Sequence, residues 1–217
     1  MCNLYSNKVA PDAIAHAFEQ LGMALRFPEG MPNVEPRDEI RITDRAPIVR
    51  WGAAGSGHGG GELVQRRWSW SGPGGKPVYN FRSDGREFTN FDKGGRCLIV
   101  TDGFYEFTTP KAPRPDKRKD RWLFTMPGRD WFCIAGLWRA TEAGEAFTML
   151  TTEPGPDVAP YHHRQVAVLP EERWSGWLDG SGPARELLGP CAAGTLRVEK
   201  AGVTARVTAR AIDACGR

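Results

Sequence analysis

At 217 residues with 40% hydrophobic side chains, the chain has the length and apolar content of one globular domain spanning residues 2–217, and no internal repeat or linker divides it. Its longest apolar runs are only a few residues, and neither a basic region nor an apolar run opens it. Both features argue against a membrane span and a secretory signal and lead us to expect a cytoplasmic protein. Five scattered cysteines, at positions 2, 97, 133, 191 and 215, form no C-x-x-C pair, so reduced thiols are expected rather than a disulfide framework or a zinc cage; a net charge of +3 suits a polyanionic partner without demanding one.

The first helix is expected after Asp12 as cap, because Ile14, Ala17, Phe18 and Leu21 recur at helical spacing and Gly22 stops it. Prolines at 28, 32 and 36 break the next stretch. A strand over Ala46–Trp51 then enters a glycine-rich loop, 52–61, expected to be flexible. Further strands are predicted at Cys97–Val100, Gly103–Phe107, Trp122–Met126, Phe132–Leu137, Phe147–Leu150 and Val166–Leu169, with short helices at Pro170–Leu178 and Arg185–Leu188. The βαβ alternation of a parallel sheet is missing, so the fold class is α+β with mostly antiparallel pairing.

Several motifs carry little chemistry. Gly55, Gly57 and Gly60 satisfy G-x-G-x-x-G, but Trp68, Trp70 and Pro73 follow too soon for a dinucleotide-binding helix. His162 and His163 are adjacent, so on a strand they would point to opposite faces and could not share a metal; no metal or cofactor is expected. The segment 111–121 holds six basic residues against Asp116 and Asp120 and could meet phosphates as readily as solvent. Trp51, Trp68 and Trp70 lie near glycine and arginine, where an aromatic face could stack on a base.

Cys2 is the sharpest feature. A small residue after the initiator methionine usually allows that methionine to be removed, leaving a 1,2-aminothiol. An α-amine with a pKa of about 7.7–8.0 is roughly a tenth neutral at pH 7, whereas a lysine at about 10.4 is neutral in only a few parts in ten thousand. Such an amine attacks aldehydes, and the neighbouring sulfur can close a five-membered thiazolidine on the same carbon. Position alone favours an incidental cysteine over a nucleophile.

The segments Met1-Cys2-Asn3-Leu4-Tyr5, Val49-Arg50-Trp51-Gly52, Asn80-Phe81-Arg82-Ser83, Arg96-Cys97-Leu98-Ile99-Val100, Asp102-Gly103-Phe104-Tyr105-Glu106-Phe107, Ala135-Gly136-Leu137-Trp138 and His162-His163-Arg164 occur in that order. In this the chain resembles the SOS response-associated peptidase family, most strongly over residues 2–180. The resemblance implies strands curled into a barrel-like core with short flanking helices, and a basic cleft that binds single-stranded DNA and leads to Cys2. It also implies that Cys2 cross-links to the aldehyde of an abasic site, shielding the site from strand cleavage. Glu106 would manage protons, His162 would assist sugar-ring opening, Asn80 would orient the terminus or the opened sugar, and Arg82 would contact a phosphate. Abasic single-stranded DNA is then the partner, with no obligate protein partner and with the nucleoid as the place of action. A thiol (auto)peptidase acting through Cys2, Glu106 and His162, and a non-covalent single-strand binder, stand as alternatives.

Overall fold

The computed structural model describes residues 2–52, 60–90, 93–112 and 115–202. Along these the chain forms β1 (Leu4–Asn7), α1 (Pro11–Gln20), β2 (Arg37–Arg41), β3 (Arg45–Trp51), β4 (Gly61–Trp68), β5 (Trp70–Ser71), β6 (Pro77–Val78) and β7 (Asn80–Arg82). There follow β8 (Gly94–Thr101), β9 (Gly103–Thr108), β10 (Asp120–Thr125), β11 (Phe132–Thr141), β12 (Gly144–Thr152), β13 (Gln165–Val166), β14 (Val168–Leu169), α2 (Trp174–Leu178), α3 (Ala184–Leu187) and β15 (Arg197–Ala201).

Five of these strands close on themselves. β12 pairs with β4, β4 with β3, β3 with β8, β8 with β11, and β11 returns to β12. The β12–β4 contact is parallel, as is the docking of β7 on β12; the other four pairs of the ring are antiparallel. The expected mostly antiparallel, barrel-like α+β core is therefore present. A second sheet, ordered β15-β10-β9-β1-β2, lies against it.

Alternation along the barrel strands explains how both faces are covered. Ile48, Ile99, Ile134, Phe147 and Met149 join Cys2, Tyr5, Phe104 and Phe124 of the second sheet in one cluster. Their neighbours Val49, Leu98, Val100, Cys133 and Leu150 pack instead under Ile14 and Phe18 of α1 and Trp174 and Trp177 of α2. Successive strand residues point to opposite faces, so each apolar run supplies two layers at once. No helix among the described residues is long and apolar enough to cross a membrane.

The structure corrects several local expectations. Helix α1 begins at Pro11 behind Ala10, and Asp12 accepts the N–H of Ala13 inside the first turn instead of capping. Proline at the first helical position needs no N–H partner, which makes a side-chain cap dispensable. Leu21 falls beyond the helix and is exposed, while Gly22 takes the positive φ that ends it. The Val166–Leu169 strand is split at Ala167, whose backbone bridges to Leu150 and Ala135. The glycine-rich loop lies outside the described residues over 53–59, and Gly52 N–H bonds to Gly60 O at 2.9 Å where the hairpin opens.

Ser69, between β4 and β5, carries φ 89° without being glycine, and its buried hydroxyl has no hydrogen-bond partner among the described residues. Left-handed backbone costs a residue with a Cβ about 1–2 kcal/mol, and an unmet buried hydroxyl adds about 1–3 kcal/mol. Ser69→Gly should therefore raise unfolding stability by about 1 kcal/mol after the extra chain entropy of glycine is deducted. Urea denaturation checks this, and a destabilised variant would show that the strain is not there.

Candidate active site at the buried N-terminal strand

Strand β1 is held on both sides, by β9 through Tyr5↔Phe104 and Ser6↔Gly103 and by β2 through Leu4↔Arg41 and Tyr5↔Ile40. Ser6 Oγ donates to Gly103 O at 3.1 Å, and Thr101 Oγ1 lies 2.8 Å from the carbonyl oxygens of both Ser6 and Gly103. A Cβ at Gly103 would come within 2.8 Å of Leu123 Cδ1 and 3.0 Å of Phe124 O, so β9 and β10 can approach this closely only with glycine there. These contacts fix the start of the chain against the strand that carries Glu106.

Cys2 is only 1% exposed, and its thiol donates to Leu4 O at 3.2 Å. Burial, and next the nearby Glu106 carboxylate, push this thiol up to about 12 against partial relief from the backbone of Leu4 and Tyr105. A thiol in that state stays protonated at neutral pH. Glu106 is 2% exposed, and burial pushes its carboxyl up to about 7 against the pull of the chain's terminal amine and of the Cys2 backbone N–H. That last contact is central: the Glu106 carboxylate accepts a hydrogen bond from the nitrogen of Cys2, the atom that becomes the α-amine when Met1 is removed.

Asn80 closes the other side. Its Nδ2 donates to the Cys2 carbonyl at 2.7 Å, while its buried Oδ1 has no partner among the described residues. Strand β7 is positioned by parallel pairing with β12, Asn80 opposite Met149 and Arg82 opposite Thr151. Asn80 and Arg82 share one face of β7, and Phe81 between them turns to the other. The Arg82 guanidinium is exposed and makes neither a hydrogen bond nor an ion pair with the described residues.

His162 lies in the turn after β12, not on a strand. Its ring stacks on that of His163, centroids 4.4 Å apart, so the expectation of opposite faces does not hold. Nδ1 sits 3.0 Å from both the amide nitrogen and the carbonyl oxygen of Arg164, which fixes the ring from that edge. Burial first, then the chain's terminal amine, His163 and Lys119, hold the imidazolium below its ordinary pKa, so the ring is neutral at pH 7. Arg164 anchors the turn to the end of β12 and β7, donating to Thr151 O at 2.7 Å and pairing with Asp84 at 2.8 Å.

The three tryptophans fare differently. Trp68 is wholly buried, with Nε1 bonded to Tyr79 O at 3.0 Å and the edges of Tyr5 and Tyr79 against it, so it supports β1 from below and offers no face to a base. Trp51 packs half-buried in the cluster under the helices, on the side of the barrel away from Cys2. Trp70 lines a cleft of about 770 Å³ with Phe81, Phe88, Trp138 and Arg139, reached from the Phe81 side of β7. Tryptophan beside arginine in sequence carries no information about which face of a strand it occupies. No group of three or more His, Cys, Asp or Glu among the described residues could hold a metal ion.

With this geometry in place, comparison defines the class. The profile of the SOS response associated peptidase (SRAP) family matches residues 1–209, and the chain belongs to that family. Its relatives include the abasic site processing protein HMCES of Gallus gallus, 30% identical over 122 residues that make up 44% of this chain and 35% of that protein. The HMCES of Pongo abelii is 30% identical over 120 residues, 40% of this chain and 32% of that one, so the match takes in about a third of each relative's length. Among solved structures, a Bacteroides thetaiotaomicron protein superposes with a TM-score of 0.65 at 18% identity over 92% of this chain and 91% of its own. A phage-related protein from Bordetella bronchiseptica gives a TM-score of 0.63 at 17% identity over 92% and 94%. The family tie supports abasic-site processing at family level, and the superpositions show the same fold.

The raised carboxyl of Glu106 has a consequence for folding. Between about pH 4.5 and about 7 the folded chain holds a proton that the unfolded chain has released, so stability falls as pH rises through that window. In the chain that retains Met1, Glu106→Gln should gain on the unsubstituted protein by ~3 kcal/mol between acid and neutral pH. Urea melts across that range check it; a difference that does not vary with pH would contradict the assignment.

Proposed function

We propose that the protein, once Met1 is removed, captures abasic sites in single-stranded DNA by forming a thiazolidine between Cys2 and the ring-opened deoxyribose. The observation that carries this reading is the hydrogen bond from the Cys2 nitrogen to the buried Glu106 carboxyl group, which burial pushes up to about 7 in the chain that retains Met1. An amine beside such a group can lose a proton to it and later take one back.

The neutral α-amine adds to the aldehyde carbon C1′, and the carbinolamine loses water to give an imine, with the protonated Glu106 carboxyl supplying the proton that leaves with the hydroxyl. The Cys2 sulfur then adds to the same carbon, and its proton passes to the nitrogen. One carbon–nitrogen and one carbon–sulfur bond form, and one water departs. Because burial keeps the thiol protonated, amine attack comes first and sulfur closes the ring. The neutral His162 ring suits general base work on the C1′ hydroxyl as the sugar opens, and the unpartnered Asn80 Oδ1 is an acceptor for the hydroxyl that opening frees at C4′. Arg82, exposed on the same face of β7 as Asn80, would meet a flanking phosphate, and its exposed cation supports that role.

Incubation with abasic and intact oligonucleotides tests this. A denaturation-resistant adduct should form with the abasic strand alone. Cys2→Ser should form no stable adduct, leaving at most an imine that borohydride traps. Arg82→Ala should weaken binding severalfold and reduce the salt dependence by about one phosphate contact. Equal adduct formation by Cys2→Ser would overturn the proposal.

A further inference from the structure

The face that carries Glu106 extends well beyond it. Residues directly opposite on antiparallel strands share a face, as do residues two apart on one strand. Glu106 stands opposite Trp122, Thr108 opposite Asp120, and Trp122 opposite Lys200 of β15. These side chains therefore form one continuous row leading away from Cys2. Trp122 Nε1 donates to Thr108 Oγ1 at 2.8 Å, and Lys200 Nζ lies 3.0 Å from the Asp120 carboxylate and 5.5 Å from the Trp122 ring centre. Tyr161, the residue before His162, packs its ring against Trp122 at a tilt of 56° with centroids 4.8 Å apart. A cleft of about 720 Å³ is lined by Trp122 and Tyr161 together with Asp120, Lys200, Thr109 and Lys111. It starts at the residues flanking both Glu106 and His162, carries a half-buried indole in its wall, and has exposed lysines at its rim.

We propose that this cleft is a second nucleotide subsite, taking the base next to the abasic residue on the same strand and stacking it against Trp122, with Lys111 and Lys200 meeting phosphate. The inference rests on the abasic-DNA reading above. A strand whose abasic sugar reaches Cys2 must continue outward from Glu106 and His162, and the row from Trp122 to Lys200 is a path leading from them. A base beside an abasic position has lost a stacking neighbour, and an aromatic side chain replaces that contact irrespective of sequence. The charge at the rim suits the strand, since Lys111 and Lys200 both line the cleft and are exposed. The site thus selects a flanking nucleotide by its ring face and backbone charge.

The test uses the Met1-free full chain and strands carrying a tetrahydrofuran abasic analogue, which binds without reacting, with 2-aminopurine on its 5′ or its 3′ side. Binding should quench 2-aminopurine on one side. Trp122→Leu should restore the emission and weaken binding roughly tenfold or more, whereas Trp122→Phe keeps most of the quenching. Lys111→Glu, a surface change that leaves the core intact, should weaken binding severalfold and lower its salt dependence. It serves as the deciding variant if thermal melts show that Trp122→Leu does not fold. Unchanged emission on both sides with the strand bound, or quenching that Trp122→Leu leaves intact, would overturn the inference. If an abasic strand forms its adduct while the emission is unaffected, this inference alone fails; if the protein forms no adduct and binds no strand, the abasic-DNA reading fails and takes this one with it.

Discussion

The site depends on one constraint: the first strand of the chain is an interior strand of a sheet. Chain termini are ordinarily surface segments that fray. Here β1 is paired on both edges, and the Thr101–Ser6–Gly103 contacts clamp it one residue from the turn between β8 and β9. That pairing brings Cys2 under the barrel strands, next to Glu106 from β9 and Asn80 from β7, three segments far apart in sequence. A nucleophile at a chain end gains the freedom of an α-amine, and burying that end supplies the fixed geometry such an amine otherwise lacks.

Burial also sets the charge state of the site. It drives the Glu106 carboxyl and the Cys2 thiol towards their protonated forms and the His162 ring towards its neutral form. All three shifts have the same origin, the cost of holding charge away from water. Of the three, the Glu106 carboxyl is the one brought near neutrality, where a carboxyl can both give and take a proton. A thiolate-first reaction would call for the opposite tuning, a lowered thiol pKa. Burial pushes the Cys2 thiol the other way.

Much of this was legible in the chain itself, and the limits are instructive. Strong apolar runs such as Cys97–Val100 and Phe132–Leu137 mark their strands because they are buried on both faces. Strands β1, β2, β4, β7 and β15 escape a reading by pattern: they are short, or carry the arginines and glutamates of sheet edges and ion pairs, as in Arg66 with Glu29 and Glu145. The motif residues Cys2, Asn80 and Glu106 come together as expected. The tryptophans do not, because which face an indole occupies is decided by register: Trp68 at 0% exposure is a support for Tyr5. Trp122 and Tyr161 belong to no motif block, and only the cross-strand register with Glu106 reveals them.

The central claim is that the α-amine and thiol of residue 2 together hold the damaged sugar, and intact-mass spectrometry of the protein after reaction with an abasic oligonucleotide tests it most directly. The account predicts a single species equal to the chain without Met1 plus the oligonucleotide less one water, with fragmentation placing the link on Cys2 and with no mass gain after borohydride, since a closed thiazolidine offers no imine to reduce. An adduct on a lysine, or on chains that still carry Met1, would contradict it.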